Sequence, residues 1–327
     1  MMASIAHYNL LERIGEGGIG EVFRARDTKV GRTVALKVVS PAITGDPGRL
    51  QRLLDEAHAA AALSHPNIAT LWDVGDADGQ TYLAYEFAAG RSLLEECGGA
   101  AMNPRRALDL AVQIADGVSD AHSHGIIHGD LRPDTVIVTA KGNAKVLDCG
   151  LAPWTNGGIL RASAARNPDT LPPELAPMLG YLSPEQAIGS AVDTRTDVFS
   201  IGALTYQMVT GQNPFIGPTA AATVMNVIQG KFTPASKVNP AAPAELDAIL
   251  ARALAPDLAQ RQQSAASLAA ELRSVAAILD VRTGDAATPS ALLPIDDSPD
   301  RNAAGLLAGA LITAAAAAGG VWWWLSR

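Results

Sequence analysis

Alternation of apolar and polar residues through the first ninety positions predicts short β-strands. The predicted strands, in chain order, are Tyr8–Ile14, Glu21–Ala25, Thr33–Val39, Ala69–Gly75 and Thr81–Phe87. Between the third and fourth strands the apolar residues recur at helical spacing instead. Leu50, Leu53 and Ala57 share one face of this helix, and Asp46 followed by Pro47 is typical of a helix start. A five-stranded sheet with one helix is therefore expected.

Helical spacing dominates the chain after about residue 100. The apolar positions within Leu108–Val118 predict one helix, and Asp197 opens a second, strongly apolar one. Two β-rich runs, Val136–Val138 and Ala144–Leu147, are predicted to form a hairpin between them. The segment 148–185 is rich in Gly, Asn and Pro, which indicates a loop. Strands followed by helices favour an α+β fold.

The end of the chain has a different pattern. Residues 281–302 lose their apolar periodicity and are rich in Asp and Pro, which predicts a flexible linker. Residues 303–325 then run for 23 positions without a charge. As a helix this segment would be about 34 Å long, enough to cross a bilayer, with Trp322–Trp324 at the interface. We expect one membrane helix here rather than a core helix. Arg301 and Arg327 flank it equally, so charge gives no orientation.

Composition narrows the function classes. The chain has 327 residues, enough for two packed lobes. Its net charge of −8 and pI near 5.2 argue against nucleic acid as a main partner. The two cysteines, Cys97 and Cys149, are far apart and form neither a disulfide framework nor a CxxC site. A reducing cytosol fits this cysteine usage.

Two aspartates lie at the ends of the predicted hairpin. Asp130 is in a polar turn before it, and Asp148 follows its second strand. The two ends of one hairpin can present both carboxylates to the same cleft. One carboxylate can then orient or deprotonate a hydroxyl while the other holds a divalent cation.

Glycines follow the first predicted strand at Gly15, Gly17 and Gly20. This GxGxxG spacing also occurs in dinucleotide-binding folds, where a helix must follow the glycines. Here Glu21–Ala25 continues as a strand, and a third strand follows a turn at Gly31. The glycines are therefore predicted to form a hairpin whose backbone amides can approach phosphates.

Five short segments together resemble one enzyme family. They are GEGGIG in the glycine hairpin, VALK at 34–37, HGDLRPDT from His128, DCG from Asp148 and GYLSPEQ from Gly180. Their order and spacing resemble those of the eukaryotic-like (Hanks-type) serine/threonine protein kinases of bacteria. The resemblance covers about residues 8–280.

The resemblance implies a bilobal protein kinase-like fold of the α+β class. A small β-rich N-lobe would span about residues 8–88 and a mainly helical C-lobe about 89–280, followed by the linker and the C-terminal transmembrane helix. The expected partners are ATP, Mg²⁺ or Mn²⁺, and protein substrates, with no nucleic acid. A homodimer is retained as a possible assembly. Because the kinase domain must meet ATP, we expect a single-pass protein of the cell membrane with a cytoplasmic kinase domain.

The resemblance also assigns catalytic roles to Asp130, Arg132, Lys37 and Glu56. Glu56 would pair with Lys37 and position it on the α- and β-phosphates. Asp130 would orient the incoming hydroxyl, and Arg132 would neutralise the transferring phosphoryl group.

Cation and nucleotide contacts are implied in the same way. Asp148 is the expected ligand of the cation, and Thr135 takes the position at which kinases use an asparagine as a second metal ligand. The residues expected to contact the nucleotide are Gly15, Gly17, Gly20, Val22, Ala35, Lys37, Glu86, Ala88 and Ile137. Two structural contacts are also implied, an anchor for the catalytic loop at Asp197 and an ion pair between Glu185 and Arg261.

A second function class stays open. Thr135, Cys149 and Met178 each depart from the residue that active kinases usually carry. A pseudokinase that binds nucleotides or acts as a scaffold is therefore the alternative. Retention of all the principal catalytic and metal-binding positions favours an active serine/threonine kinase.

Overall fold

The computed structural model describes residues 4–155 and 176–284. No helix within these two ranges is long and apolar enough to cross a membrane. The predicted span 303–325 and all but the start of the predicted linker 281–302 lie outside the described residues.

A six-stranded antiparallel sheet forms the N-lobe. Its strands are β1 (Ser4–Ile5), β2 (Tyr8–Glu16), β3 (Gly20–Asp27), β4 (Thr33–Val39), β5 (Leu71–Ala77) and β6 (Gln80–Glu86). Their spatial order is β1-β2-β3-β4-β6-β5. The predicted count of five strands was one too few. The additional strand, β1, has only two residues, and it pairs with β2 through Ile5 and Tyr8.

One face of this sheet packs against a helix. Helix α1 (Pro41–Thr44) is a single turn, and α2 (Pro47–Ala60) follows it. The side chain of Asp46 accepts hydrogen bonds from the first turn of α2, which confirms the predicted helix start. Leu53 and Ala57 are buried in a cluster that includes residues of β4, β5 and β6, so the apolar stripe of α2 fixes the helix to the sheet.

The C-lobe is mainly helical. Its helices are α3 (Leu93–Cys97), α4 (Pro104–Ser123), α5 (Ala176–Leu179), α6 (Pro184–Ala187), α7 (Arg195–Thr210), α8 (Ala220–Gln229), α9 (Ala235–Val238), α10 (Ala244–Ala253) and α11 (Ala265–Thr283). Helix α7 is buried on almost all sides, which agrees with its continuous apolar sequence. Helices α4, α10 and α11 pack around it. Helix α11 ends three residues beyond the expected domain boundary at residue 280.

A small antiparallel sheet lies at the top of the C-lobe. Its strands are β7 (Gly90–Ser92), β8 (Val136–Thr139) and β9 (Ala144–Val146), in that spatial order. The predicted β8–β9 hairpin is present, with Gly142 at a φ of +85° in its turn. Short 3-10 helices, Pro133–Thr135 and Ala152–Trp154, flank this hairpin. The hairpin therefore carries the two segments that contain the predicted catalytic aspartates.

Candidate active site

A cavity of about 510 Å³ lies between the sheet of the N-lobe and the β8–β9 hairpin. Its volume falls within the range of small-molecule sites, about 300–1,000 Å³. All the residues that the sequence assigned to the nucleotide line it, namely Gly15, Gly17, Gly20, Val22, Ala35, Lys37, Glu86, Ala88 and Ile137. The fold thus gathers residues from both lobes around one space.

The glycine hairpin connects β2 to β3 at the edge of this cavity. Gly17 and Gly20 donate their backbone N–H groups to each other's carbonyl oxygens, at 2.9 and 3.1 Å. A Cβ at Gly20 would lie 1.9 Å from the carbonyl oxygen of Val38, so this glycine is required by the approach of β4. A Cβ at Gly15 or Gly17 would meet no protein atom within 4 Å. These two glycines therefore leave open space over the cavity.

The catalytic loop is held from below by Asp197 of α7. Its carboxylate accepts hydrogen bonds from the backbone N–H groups of His128 and Gly129, both at 2.8 Å. His122 Nε2 lies 2.8 Å from the same carboxylate. The predicted anchoring role of Asp197 is confirmed, because one fully buried side chain fixes the start of the loop.

Asp130 lies in this loop with its carboxylate buried. Its Oδ1 is 3.2 Å from Arg132 Nε, and its Oδ2 accepts a hydrogen bond from the hydroxyl of Thr155 at 2.6 Å. Burial raises the pKa of Asp130 above its ordinary value, although Arg132 and the Thr155 hydroxyl act in the opposite direction. A raised pKa makes the carboxylate a better proton acceptor.

Arg132 extends from the loop to the cavity, which its side chain lines. Its Nη2 is 3.1 Å from Asp134 Oδ2. Its Nη1 is buried and has no hydrogen-bond partner within residues 4–155 and 176–284. A buried guanidinium donor beside an open cavity fits an anionic ligand such as a phosphate group.

Thr135 is turned toward the loop itself. Its hydroxyl accepts from the backbone N–H of Arg132 at 3.1 Å and lies within 3.1 Å of the carbonyl oxygens of Asp130 and Arg132. The hydroxyl therefore closes the turn of the catalytic loop, and Thr135 also lines the cavity, where its expected metal contact stays a prediction. No cluster of three His, Cys, Asp or Glu side chains able to hold a metal ion occurs in the described part of the chain.

Asp148 is the carboxylate that the sequence assigned to a cation. It lines the cavity and has a φ of +58°, a left-handed conformation that residues other than glycine seldom adopt. Its Oδ1 forms an ion pair with Nζ of Lys37, which extends from β4. Mg²⁺ in nucleotide sites commonly uses one or two protein carboxylates together with substrate phosphates, so Asp148 fits such an ion.

The connection between the lobes carries a second ion pair. Glu86, at the end of β6, accepts a hydrogen bond from Nζ of Lys145 at 2.7 Å, and Lys145 lies in β9. The backbone N–H of Glu86 also donates to the carbonyl oxygen of Thr70 at 2.8 Å. Glu86 thus lines the cavity while its carboxylate is engaged by Lys145.

The comparisons with known proteins agree with this geometry. The protein kinase domain family matches residues 8–272. The chain belongs to this family. It is 36% identical over 275 residues to serine/threonine-protein kinase PknB of Mycolicibacterium smegmatis, which covers 81% of this chain and 42% of that protein. It is 34% identical over 256 residues to the probable serine/threonine-protein kinase PknB of Lactococcus lactis, which covers 78% of this chain and 39% of that protein.

The chain thus spans about two fifths of the length of these curated relatives. Among solved structures, the kinase domain of Mycobacterium tuberculosis PknI is similar, with a TM-score of 0.63 and 25% identity. That match covers 84% of this chain and 98% of the PknI chain. The predicted bilobal fold and the resemblance to bacterial serine/threonine kinases are confirmed. Membership of the family implies ATP and a divalent cation.

One expected kinase contact is not formed. No ion pair joins Lys37 to Glu56 in the part of the chain that the structure describes, and Lys37 pairs with Asp148 instead. The carboxylate of Glu56 accepts a hydrogen bond from Nε1 of Trp154 at 2.5 Å. Trp154 ends the 3-10 helix after Asp148, and it is buried in the same apolar cluster as Leu53. The Glu56 carboxylate, which was expected to bind Lys37, is therefore hydrogen-bonded to the indole of Trp154 instead.

Sequence reasoning missed the side-chain contacts of Trp154, Thr155 and Lys145. The first two belong to a segment rich in Gly, Asn and Pro, which carries no periodicity that would indicate a packed residue. Lys145 lies at an alternating position of β9, where a solvent-exposed lysine would be equally expected. Nothing in the local pattern indicates their partners.

The ion pair between Glu185 and Arg261 is present. Arg261 is buried and donates to both oxygens of Glu185, at 2.8 and 3.1 Å, and to the carbonyl oxygen of Ala255 at 3.0 Å. Burial by itself would raise the pKa of Glu185, but Arg261 holds it below its ordinary value. The predicted pair is confirmed, and it links α6 to the segment before α11.

Proposed function

We propose that this chain transfers the γ-phosphoryl group of ATP to serine or threonine hydroxyls of proteins. The observation that carries the proposal is the shared cavity. It is lined by the glycine hairpin, Lys37 and Asp148, and Asp130 lies one hydrogen bond from a hydroxyl on its wall. The nucleotide, the cation and the acceptor hydroxyl would therefore bind at adjacent positions.

In this proposal the protein acts by positioning and by charge, as in other phosphoryl transfers. Asp130 orients the acceptor hydroxyl and takes its proton. Nη1 of Arg132, which has no hydrogen-bond partner within the described ranges, donates to an oxygen of the transferring group. Lys37 holds the nucleotide phosphates. Mg²⁺ or Mn²⁺, held by Asp148, would neutralise phosphate charge when bound.

The test is incubation of the purified full-length chain, in detergent, with labelled ATP, a generic protein substrate and either Mg²⁺ or Mn²⁺. We expect label on serine or threonine, and its loss in Lys37→Met and in Asp130→Asn. Circular dichroism must show that both variants are folded. A folded Asp130→Asn chain with undiminished transfer would reject the catalytic assignment.

A pseudokinase is the second candidate, and two observations favour it. The hydroxyl of Thr135 is engaged by the loop, and Glu56 is bound to Trp154 rather than to Lys37. A scaffold of this kind would bind nucleotides without transferring phosphate. A rise in melting temperature on addition of ATP, with no label on any protein, would select it.

The membrane anchor is also a proposal. Residues 303–325 contain no charge, and this length suffices for one helical span. Because ATP is cytoplasmic, the kinase domain would face the cytoplasm of a cell-membrane protein. Truncation after Asp300 should release the protein from the membrane fraction without loss of kinase activity. Recovery of the full-length chain in the soluble fraction without detergent would contradict the anchor.

A further inference from the structure

Arg132 lies between two carboxylates of the catalytic loop. Its Nε is 3.2 Å from Oδ1 of Asp130, and its Nη2 is 3.1 Å from Oδ2 of Asp134. The side chain is only 8% exposed, yet it lines the cavity, and its Nη1 has no hydrogen-bond partner within the described ranges. Because an arginine stays protonated in proteins, one permanent positive charge is shared by the two carboxylates.

Thr135 fixes the backbone from which this side chain extends. Its hydroxyl accepts a hydrogen bond from the N–H of Arg132 at 3.1 Å, and its own N–H donates to the carbonyl oxygen of Arg132 at 3.0 Å. The hydroxyl proton can be donated to the carbonyl oxygen of Asp130 or of Arg132, at 3.1 and 3.0 Å. A cation on the same oxygen would have to share it with the N–H group that sets the position of Arg132.

We propose that Arg132, positioned by Thr135, supplies the positive charge of a second cation, so that this chain transfers phosphate with one cation, on Asp148. The inference rests on the proposed kinase function and deepens it. Thr135 is then a positioning residue for Arg132, in place of the metal contact that the resemblance implies. Arg132 acts through Nη1, the donor that is left for an oxygen of the transferring phosphoryl group.

The charges around Arg132 favour this arrangement. Asp130 and Asp134 are the carboxylates of this loop that would attract a second cation, and the guanidinium already contacts both. Since Arg132 and Asp130 are buried, water would screen the repulsion between the guanidinium and another cation only weakly. A guanidinium also forms directed hydrogen bonds to phosphate oxygens. The chain can thus provide the charge without binding a second ion.

A charge that belongs to the chain is present at every cation concentration. The transfer rate should therefore rise with free Mg²⁺ in a single phase, until the nucleotide and Asp148 are saturated, and then stay constant. A second ion that binds more weakly would add a second phase to this dependence.

The experiment counts cations bound to the full-length chain in detergent. The chain is kept in excess over β,γ-imido-ATP, an analogue that cannot transfer its phosphate, and Mn²⁺ is titrated with electron paramagnetic resonance as the readout. The chain without nucleotide is the blank. We expect one bound Mn²⁺ per bound nucleotide, and two would overturn the proposal. Failure to bind the nucleotide, or binding without phosphate transfer from ATP, would instead reject the proposed kinase function.

Matched variants test the two roles separately. Thr135→Val should lower kcat without weakening Mn²⁺ binding, and Thr135→Ser, which keeps the hydroxyl, should rescue the rate. Arg132→Gln should lower kcat by about 100-fold, as for other lost donors to a transferring charge, with little change in KM for ATP. Weaker Mn²⁺ binding in folded Thr135→Val, or an unchanged kcat in either Thr135→Val or Arg132→Gln, would overturn the proposal. If a variant does not fold, the Mn²⁺ count in the unaltered chain still decides between one cation and two.

Discussion

Replacement of Trp154 by phenylalanine should increase the kinase activity of the dephosphorylated chain. The indole N–H donates to the carboxylate of Glu56 at 2.5 Å, and this contact keeps Glu56 from Lys37. Phenylalanine retains an aromatic ring for the apolar cluster but removes the donor. The substitution therefore chiefly destabilises the state in which the Glu56 carboxylate is hydrogen-bonded to residue 154.

The size of the effect follows from the contact that is lost. A hydrogen bond to a charged group contributes about 1.5–3 kcal/mol. Because about 1.4 kcal/mol corresponds to a factor of ten, its loss should shift the equilibrium toward free Glu56 by about 10- to 150-fold. The observed gain in rate is smaller if the free form is already well populated.

The assay is the initial rate of phosphate transfer to a generic substrate by full-length chains purified in parallel. Trp72→Phe is the matched control, since Trp72 is 44% exposed and its ring packs against the guanidinium of Arg32, 4.3 Å away. Adding Glu56→Ala to the Trp154→Phe chain should abolish the gain. An unchanged or lower rate in folded Trp154→Phe, or a gain that survives the Glu56 substitution, would refute the reasoning.

Three further outcomes are expected. Arg261→Met should lower the free energy of unfolding by about 3–5 kcal/mol in urea titrations, because it leaves the buried Glu185 carboxylate without its partner; a loss below about 1 kcal/mol would contradict this. Since burial raises the pKa of Asp130, the transfer rate should fall as pH decreases through a midpoint above the ordinary aspartate value. Arg132→Gln should move that midpoint to higher pH in normalised pH–rate profiles, and a shift to lower pH would refute the assignment. Lys145→Met, which breaks the ion pair at the lobe connection, should raise KM for ATP more than it lowers kcat, with rescue by Lys145→Arg; equal changes in both would argue against it.

Local patterns were sufficient where one segment determines its own structure. The alternation in β2, β3 and β4, the cap at Asp46 and the apolar surface of α7 all appear in the structure as the sequence indicated. Strand β1 was not predicted, because a strand of two residues is too short to show an alternating pattern. The residues around the cavity were predictable because the kinase motifs have a fixed order and spacing along the chain.

The partner of Glu56 could not be predicted in this way. Its position beside the apolar stripe of α2 shows that it faces the protein, and two groups compete for it there. Lys37 requires the carboxylate to approach β4, whereas Trp154 requires a buried turn after Asp148. Whether Lys37 or Trp154 binds Glu56 depends on how favourably separate segments of the chain pack. A local sequence pattern carries no information about that difference in packing energy.

The anchors of the catalytic loop have a consequence for protein synthesis. Asp197 fixes His128 and Gly129, although it follows them by more than sixty residues, and Arg261 pairs with Glu185 later still. A growing chain that has already produced the glycine hairpin and Asp130 still lacks the carboxylate that sets the loop. The N-lobe side of the nucleotide cavity is thus synthesised early. Its catalytic side is complete only after α7 has left the ribosome and packed. Chains that stop before this helix are expected to lack an ordered catalytic loop, so a truncated product should not act as an unregulated kinase.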